Sequence, residues 1–315
     1  MAAPAALPPA MKTPPEPPAT LPTAAPLRAK AIAPGRERLQ SEVLVWGWIL
    51  TALPLALLLL WVQVSIAWDD GKAFSGTPMQ AICVTLLLVG IVIAVRAATP
   101  AAAAVGGVIC FTMAMVTTPA STRLSQTALP ALLALVVLTF AATRFGRARK
   151  IKLGLAESKR GRATSQIVAN LGVASMVALL HGMTSASPPA CLAVLAEATA
   201  DTLASELGPL FHGRTLLLTT MRRVAPGTDG GVSLGGTLCG IAGAVAVIAV
   251  GVRALELGWL EANIAFAGAM LGFLADSVLG ATLERRGWIG NDLVNFLATA
   301  VAGAVALGLG IWLIP

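Results

Sequence analysis

Asp201 and Asp276 stand near the ends of two long apolar runs, in matching settings: Ala-Asp-Thr-Leu at 200–203 and Ala-Asp-Ser-Val at 275–278. Two carboxylates at one depth, beside hydroxyls, suit a hard divalent cation. Mg²⁺ takes one or two carboxylates and fills its shell with phosphate oxygens and water. Between the two lies P-G-T-D-G-G-V-S-L-G-G-T, residues 226–237. This is not a Walker loop, because no Gly-Lys-[Ser/Thr] follows. Its glycines can still turn backbone amides inward, and it feeds the start of an apolar helix, where unpaired N–H groups favour an anion. Gly227, Thr228, Gly230, Gly231 and Ser233 are the candidate phosphate cradle. Asp229, inside it, would repel a bare phosphate. A cation is therefore expected between them, with Asp201, Asp276 and Asp229 as ligands and Mg²⁺ as cofactor. Arg222 and Arg223 precede the loop and could grip phosphate bidentately. Cation, arginines and glycine cradle are the parts of a phosphoryl-transfer site, where catalysis is mostly positioning and charge stabilisation. A phosphate acceptor needs no general base. An alcohol acceptor would need one, and Glu197 is the candidate. Blander alternatives stay open: each Asp can pair with an arginine or cap a helix, and the loop can be a spacer.

The elements that must position these residues are membrane helices. The chain has 315 residues, is 57% hydrophobic and 12% charged, and has a mean hydropathy of +0.81. Soluble domains carry about 25% charged residues. Several charge-free runs are long enough to cross about 30 Å of hydrocarbon, and they are continuous rather than alternating, which excludes a barrel. The expected fold is an all-α polytopic bundle of about nine transmembrane helices. The spans are 43–67, 79–97, 100–118, 127–143, 165–183, 188–206, 236–253, 261–279 and 293–313. All but three of the 22 Lys and Arg (Lys72, Arg123 and Arg253) then fall on one side. The positive-inside bias makes that side, and the N-terminus, cytoplasmic. Trp46, Trp48, Trp61 and Trp68 are the expected interfacial aromatics. The four cysteines lie in apolar segments without paired spacing and read as packing residues, not a disulfide framework or zinc site.

The chain divides into a Pro/Ala-rich tail at 1–40, expected to be disordered, apolar scaffold helices at 41–143, and a catalytic bundle at 144–315. The bundle carries cytoplasmic loops 144–164, 207–235 and 280–292. The first of these is strongly basic and is expected to be partly an interfacial helix. The tail lacks the serine of a transit peptide, which favours a bacterial cytoplasmic membrane over an organellar one. Polar residues in the bundle recur four apart and so share helix faces: Gln166 and Asn170 on the fifth span, Glu197 and Asp201 on the sixth, Gly268, Gly272 and Asp276 on the eighth, Asn291, Asn295 and Thr299 on the ninth. Alternating helix direction brings all four stripes to the cytoplasmic end, where ionisable groups need a cavity or a partner.

These stretches, A-D-T-L-A-S-E-L-G, R-R-V-A-P-G-T-D-G-G-V-S, A-D-S-V-L-G-A-T-L-E and N-D-L-V-N-F-L-A-T, together resemble the integral membrane family that includes plastid phytyl-phosphate kinase of the vitamin E pathway. The resemblance covers roughly 40–313. It implies a kinase using CTP or another NTP with Mg²⁺ to turn a prenyl (phytyl or geranylgeranyl) monophosphate into the diphosphate. It also implies distant kinship with phytol kinase, dolichol kinase and CDP-lipid synthases. By motif position it carries over Asp201, Asp229, Asp276 and Glu206 as catalytic, and Asn291 and Asn295 as nucleotide-binding. The competing functions are a nucleotidyltransferase forming a CDP-lipid, and a non-catalytic transporter or scaffold. The partners implied are the bilayer, an NTP and a prenyl phosphate, and no nucleic acid.

Overall fold

A computed structural model describes residues 32–69, 77–117, 123–153, 163–211 and 213–314. Most of the Pro/Ala-rich tail and residues 154–162 of the basic loop lie outside the described residues. The helices are α1 (Pro34–Asp69), α2 (Thr77–Ala94), α3 (Pro100–Met115), α4 (Leu129–Arg144), α5 (Arg147–Lys152), α6 (Thr164–Ala178), α7 (Ser187–Leu207), α8 (Leu234–Ala254), α9 (Trp259–Leu279) and α10 (Asn291–Leu313). Each of the nine apolar segments coincides with one of these helices, and α5 is the short addition in the basic loop. Among the described residues, four helices (α1, α8, α9 and α10) are long and apolar enough to cross a membrane. Four more are shorter and apolar. α1 starts inside the segment read as tail and runs unbroken through Pro54. Local chemistry starts two helices: Thr99 accepts from Ala102 N–H ahead of Pro100 in α3, and Ser233 accepts from Gly236 N–H at the head of α8, each relieving an unpaired first-turn amide.

α7 is the axis of the molecule. It packs against α4, α6, α8, α9 and α10, and every residue from Ser187 to Ala200 is buried. A helix apolar on all sides belongs in an interior, and the small alanines of α7 let five neighbours approach. The small-residue stripes do the rest. A side chain at Gly240 would meet Ala200 O of α7, and one at Gly272 would meet Ala298 O of α10, so helix backbones lie directly against each other. Gly272 also abuts Glu197 Cγ. The outward faces of α1, α2, α4, α8 and α10 expose leucine, isoleucine and valine, as a lipid-facing surface requires.

Trp48 departs from the expectation of an interfacial aromatic. It is 2% exposed, with its indole N–H 2.9 Å from Ser175 Oγ of α6; Trp46, Trp61 and Trp68 are exposed. A buried indole needs an acceptor, and Ser175 supplies it. Cys110 and Cys191 are buried packing residues, while Cys83 is exposed on α2.

The polar segment between α7 and α8 holds the strands, an addition to the all-α expectation. β1 (Thr215–Leu217), β2 (Arg223–Val224) and β3 (Gly231–Ser233) form an antiparallel sheet in the order β2-β1-β3. Thr215 pairs with Val224 on one side and Ser233 on the other. α9 does not end in a simple cap. It passes into a π-helical turn, Gly280–Glu284, a distortion common at functional sites.

Candidate active site

At one end of the bundle the C-terminal parts of α7 and α9, the loop 226–233 and the start of α10 enclose a cavity of about 310 Å³. Of the expected site residues, Asp201, Glu206, Gly227, Thr228, Asp229, Gly230, Gly231, Ser233, Asp276 and Asn291 line it. Residues 75 positions apart thus share one wall, as the matched Ala-Asp settings require.

The glycine loop is wound tight. Thr228 Oγ1 donates to Ala225 O (2.7 Å) and Gly231 N–H to Thr228 O (2.8 Å). Gly227 and Gly230 take positive φ of 79° and 67°, a region that favours glycine. At Gly230 a Cβ would collide with the backbone of Ala281 in the π-turn. Loop and turn therefore touch backbone to backbone, and the loop's position is set by α9. β3 runs straight on into α8 and sets the head of that helix against the cavity.

The carboxylates gather. Glu197 lies within Coulombic reach of Asp201 and Asp276, Asp276 within reach of Asp201 and Glu284, and Glu284 within reach of Asp229. Asp276 Oδ2 is buried with no hydrogen-bond partner, as is Glu197 Oε1. Like charges this close in a poorly hydrated site repel strongly, so the cavity invites a cation. Asp229 sits at the mouth beside Glu284. It keeps an exposed edge, yet the surrounding walls raise its carboxyl above the ordinary range, with the charge of Arg285 pulling the other way. No three His, Cys, Asp or Glu among the described residues form a ready metal cage. Asp276, with its unpartnered Oδ2, and the neighbouring Asp201 fit a Mg²⁺ that brings phosphate oxygens of its own.

Several expected residues fall elsewhere. Arg222 and Arg223 are exposed and off the wall. The turn after β1 carries Arg222 to just before β2 and Arg223 into it, on the opposite side of β1 from β3, and it is β3 that lines the cavity. Asn295 is one turn further along α10 than Asn291, about 6 Å, and does not line the cavity. The α6 stripe does not reach it either: Gln166 Oε1 accepts from Ala163 N–H, and Asn170 donates to Gln166 O. Their polarity is used within the start of α6. Glu197 is 1% exposed and lies behind the cavity wall.

Two site residues were not anticipated. Glu284 lines the cavity, and continuing the Gly272-Asp276-Gly280 spacing by one more step of four reaches it. Lys150, one base among eight in its loop, has no spacing that singles it out. It is 2% exposed, and its ammonium donates to Ala142 O (2.6 Å) and to Glu206. This buried pair ties α5 to the end of α7. Removing one partner of such a pair strands the other's charge and costs about 3 kcal/mol or more. Lys150→Met is therefore expected to lower the thermal midpoint in detergent, with Lys150→Met/Glu206→Gln recovering most of the loss. A double variant no more stable than the single would show that the two charges are not coupled.

Helical architecture, lipid-facing surface and an acidic cavity at the bundle end define a polytopic helical membrane protein. The chain belongs to the family described as integral membrane protein DUF92, whose pattern matches residues 83–303. It is 40% identical over 114 residues to an uncharacterized membrane protein of Methanocaldococcus jannaschii, covering 36% of this chain and 47% of that protein. It is 33% identical over 195 residues to an uncharacterized membrane protein of Synechocystis sp., covering 56% and 72%. It is 26% identical over 182 residues to the chloroplastic protein VTE6 of Arabidopsis thaliana, covering 54% and 55%. The chain thus spans about half the length of the archaeal and plant relatives. No solved structure matches.

Proposed function

We propose that the protein is a prenyl-phosphate kinase at the inner membrane leaflet, passing the terminal phosphoryl group of CTP or another NTP to a prenyl monophosphate. The observation that carries this reading is the single cavity in which Asp201 and Asp276 face the glycine loop and the head of α8. The family resemblance and the match to chloroplastic VTE6 support it.

The cavity wall bears a clear excess of acid over base, so a nucleotide enters with its charge compensated by a divalent cation. Mg²⁺, when bound, neutralises phosphate charge and orients the oxygens. Asp201 and Asp276 would hold it from the protein side. Those amides of the glycine turn that are not already bonded within it, as Thr228 and Gly231 N–H are, would hold the nucleotide phosphates from the other. Asn291 at the head of α10 supplies an amide to the same space. An oxygen of the lipid phosphate attacks the terminal phosphorus, the bond from that phosphorus to the bridging oxygen breaks, and NDP leaves with the electron pair. The attacking oxygen is already ionised, so no base is called for, and the burial of Glu197 behind the wall fits that chemistry better than an alcohol acceptor.

The test is purified protein in detergent with geranylgeranyl monophosphate, labelled CTP and Mg²⁺. Prenyl diphosphate and CDP are expected. Pyrophosphate release would instead identify a nucleotidyltransferase, and no turnover with any NTP would remove the kinase reading.

A further inference from the structure

Beside the acidic cavity lies a second, larger hollow of about 700 Å³. The two are neighbours through a shared partition. Thr215 of β1, Ser233 of β3, Pro226 and Thr237 border both. Their linings differ in kind. The second is walled by Phe211, Leu216, Met221, Leu234 and Leu238, with Val232 common to both; its one charged lining residue is the exposed Arg214, and it carries no carboxylate. Its size falls within the range of about 300–1,000 Å³ usual for ligand pockets.

Two of its walls are unusually open for apolar side chains. Leu234 is 76% exposed and Leu238 is 57% exposed. They begin a stripe along α8 that continues through Ala242 and Val245, all exposed, on the face away from the α7-packing glycines Gly240 and Gly243. Such a stripe on a helix long enough to span a membrane is a lipid-facing surface. The hollow is thus the foot of a path from the bilayer along α8 to the partition of the acidic cavity.

We infer that this groove holds the hydrocarbon chain of the acceptor, with its phosphate across the partition beside Asp201 and Asp276, and that its depth selects chain length. This rests on the kinase reading and adds the subsite that recognises the lipid. One occupant satisfies both compartments: an amphiphile with a single multiply charged head and a single apolar chain. Burying the chain against Leu216, Val232 and Phe211 gives affinity that grows with each methylene removed from water.

The test separates this subsite from the reaction by measuring binding without nucleotide. Parent protein in nanodiscs is incubated with geranylgeranyl monophosphate carrying a diazirine at the chain end, irradiated and digested. The label is expected on 211–238, and unlabelled geranylgeranyl monophosphate should compete it away. Filling the groove at its exposed walls, in Met221→Trp and Leu238→Trp, should weaken geranylgeranyl monophosphate binding about tenfold, equivalent to about 1.4 kcal/mol. Geranyl monophosphate, with half the chain length, should be weakened less. Both side chains are exposed, but Met221 holds a positive φ of 52°, so each variant is checked by thermal unfolding, and the cross-link on the parent needs no variant. If the parent binds the probe but the label maps to other helices, or both chain lengths weaken equally, the groove is not the chain site and the kinase reading stands. A label on 211–238 that follows bilayer phospholipid and is not competed makes the groove a structural lipid site and overturns the inference. A parent that binds no prenyl monophosphate overturns both.

Discussion

Asp276→Asn is expected to lose the phosphorylation of geranylgeranyl monophosphate by a hundredfold or more, with a fold at least as stable as the parent's. Asp201→Asn should lose activity to a similar degree. The size follows from what one preorganised charge-stabilising group contributes in a water-poor site, on the order of 10²–10³ in rate. The unusual element is the sign on stability. Asp276 Oδ2 is buried without a hydrogen-bond partner, and its carboxylate shares its surroundings with Asp201 and Glu284. Neutralising it relieves repulsion between like charges and breaks no hydrogen bond to Oδ2. A residue kept for the fold would show the opposite pattern, a weakened protein with residual rate in proportion. The variant is therefore read twice, by product formation and by thermal unfolding in detergent without nucleotide. Mg²⁺ titration gives a third readout: the Mg²⁺ concentration at half-maximal rate should rise in Asp201→Asn and Asp276→Asn. Parent-like turnover in either Asp variant would remove both carboxylates from the metal assignment.

The helices were legible because burial in lipid demands long uninterrupted apolar runs, and no soluble pattern imitates them. Asp201 and Asp276 were legible for the converse reason: an ionisable group in such a run is costly and needs a purpose. What escaped was short or nonlocal. Strands of two or three residues have no room for a period-two pattern, so the sheet went unseen, and with it the displacement of Arg222 and Arg223 to an outer edge. The partners of Trp48 and Lys150 are 127 and 56 residues away, beyond any local rule. The stripe on α6 shows the limit of spacing itself. Gln166 and Asn170 repeat at four, yet both polar ends are used on the first turns of their own helix. Spacing assigns a face; the neighbour of that face comes from packing.

The second large effect is expected at Gly230, where the site depends on an absent side chain. Gly230→Ala should reduce activity more than tenfold and destabilise the protein by about 1–3 kcal/mol, the cost of a non-glycine residue held in a sparsely populated backbone region. Two penalties act together. φ at Gly230 is +67°, and the added methyl would run into Ala281 N and Cα. The obstacle is backbone inside the π-turn, so no flexible side chain can swing aside. The loop must lift instead. Lifting it strains the Leu218 N–H to Gly230 O bond and the Gly231 N–H to Thr228 O bond, moves Asp229, and pulls β3 from its register with Leu217. Every amide proposed for the nucleotide phosphates moves with it, so the nucleotide KM should rise while Mg²⁺ dependence, set by α7 and α9, changes little. Gly308→Ala on α10 is the control: its φ is not positive, nothing lies within 4 Å of the added carbon and it borders neither cavity, so its nucleotide KM should match the parent's. A Gly230→Ala protein with parent-like KM and melting would mean that the loop does not rest on the π-turn, and the cavity would have to be drawn without its glycine wall.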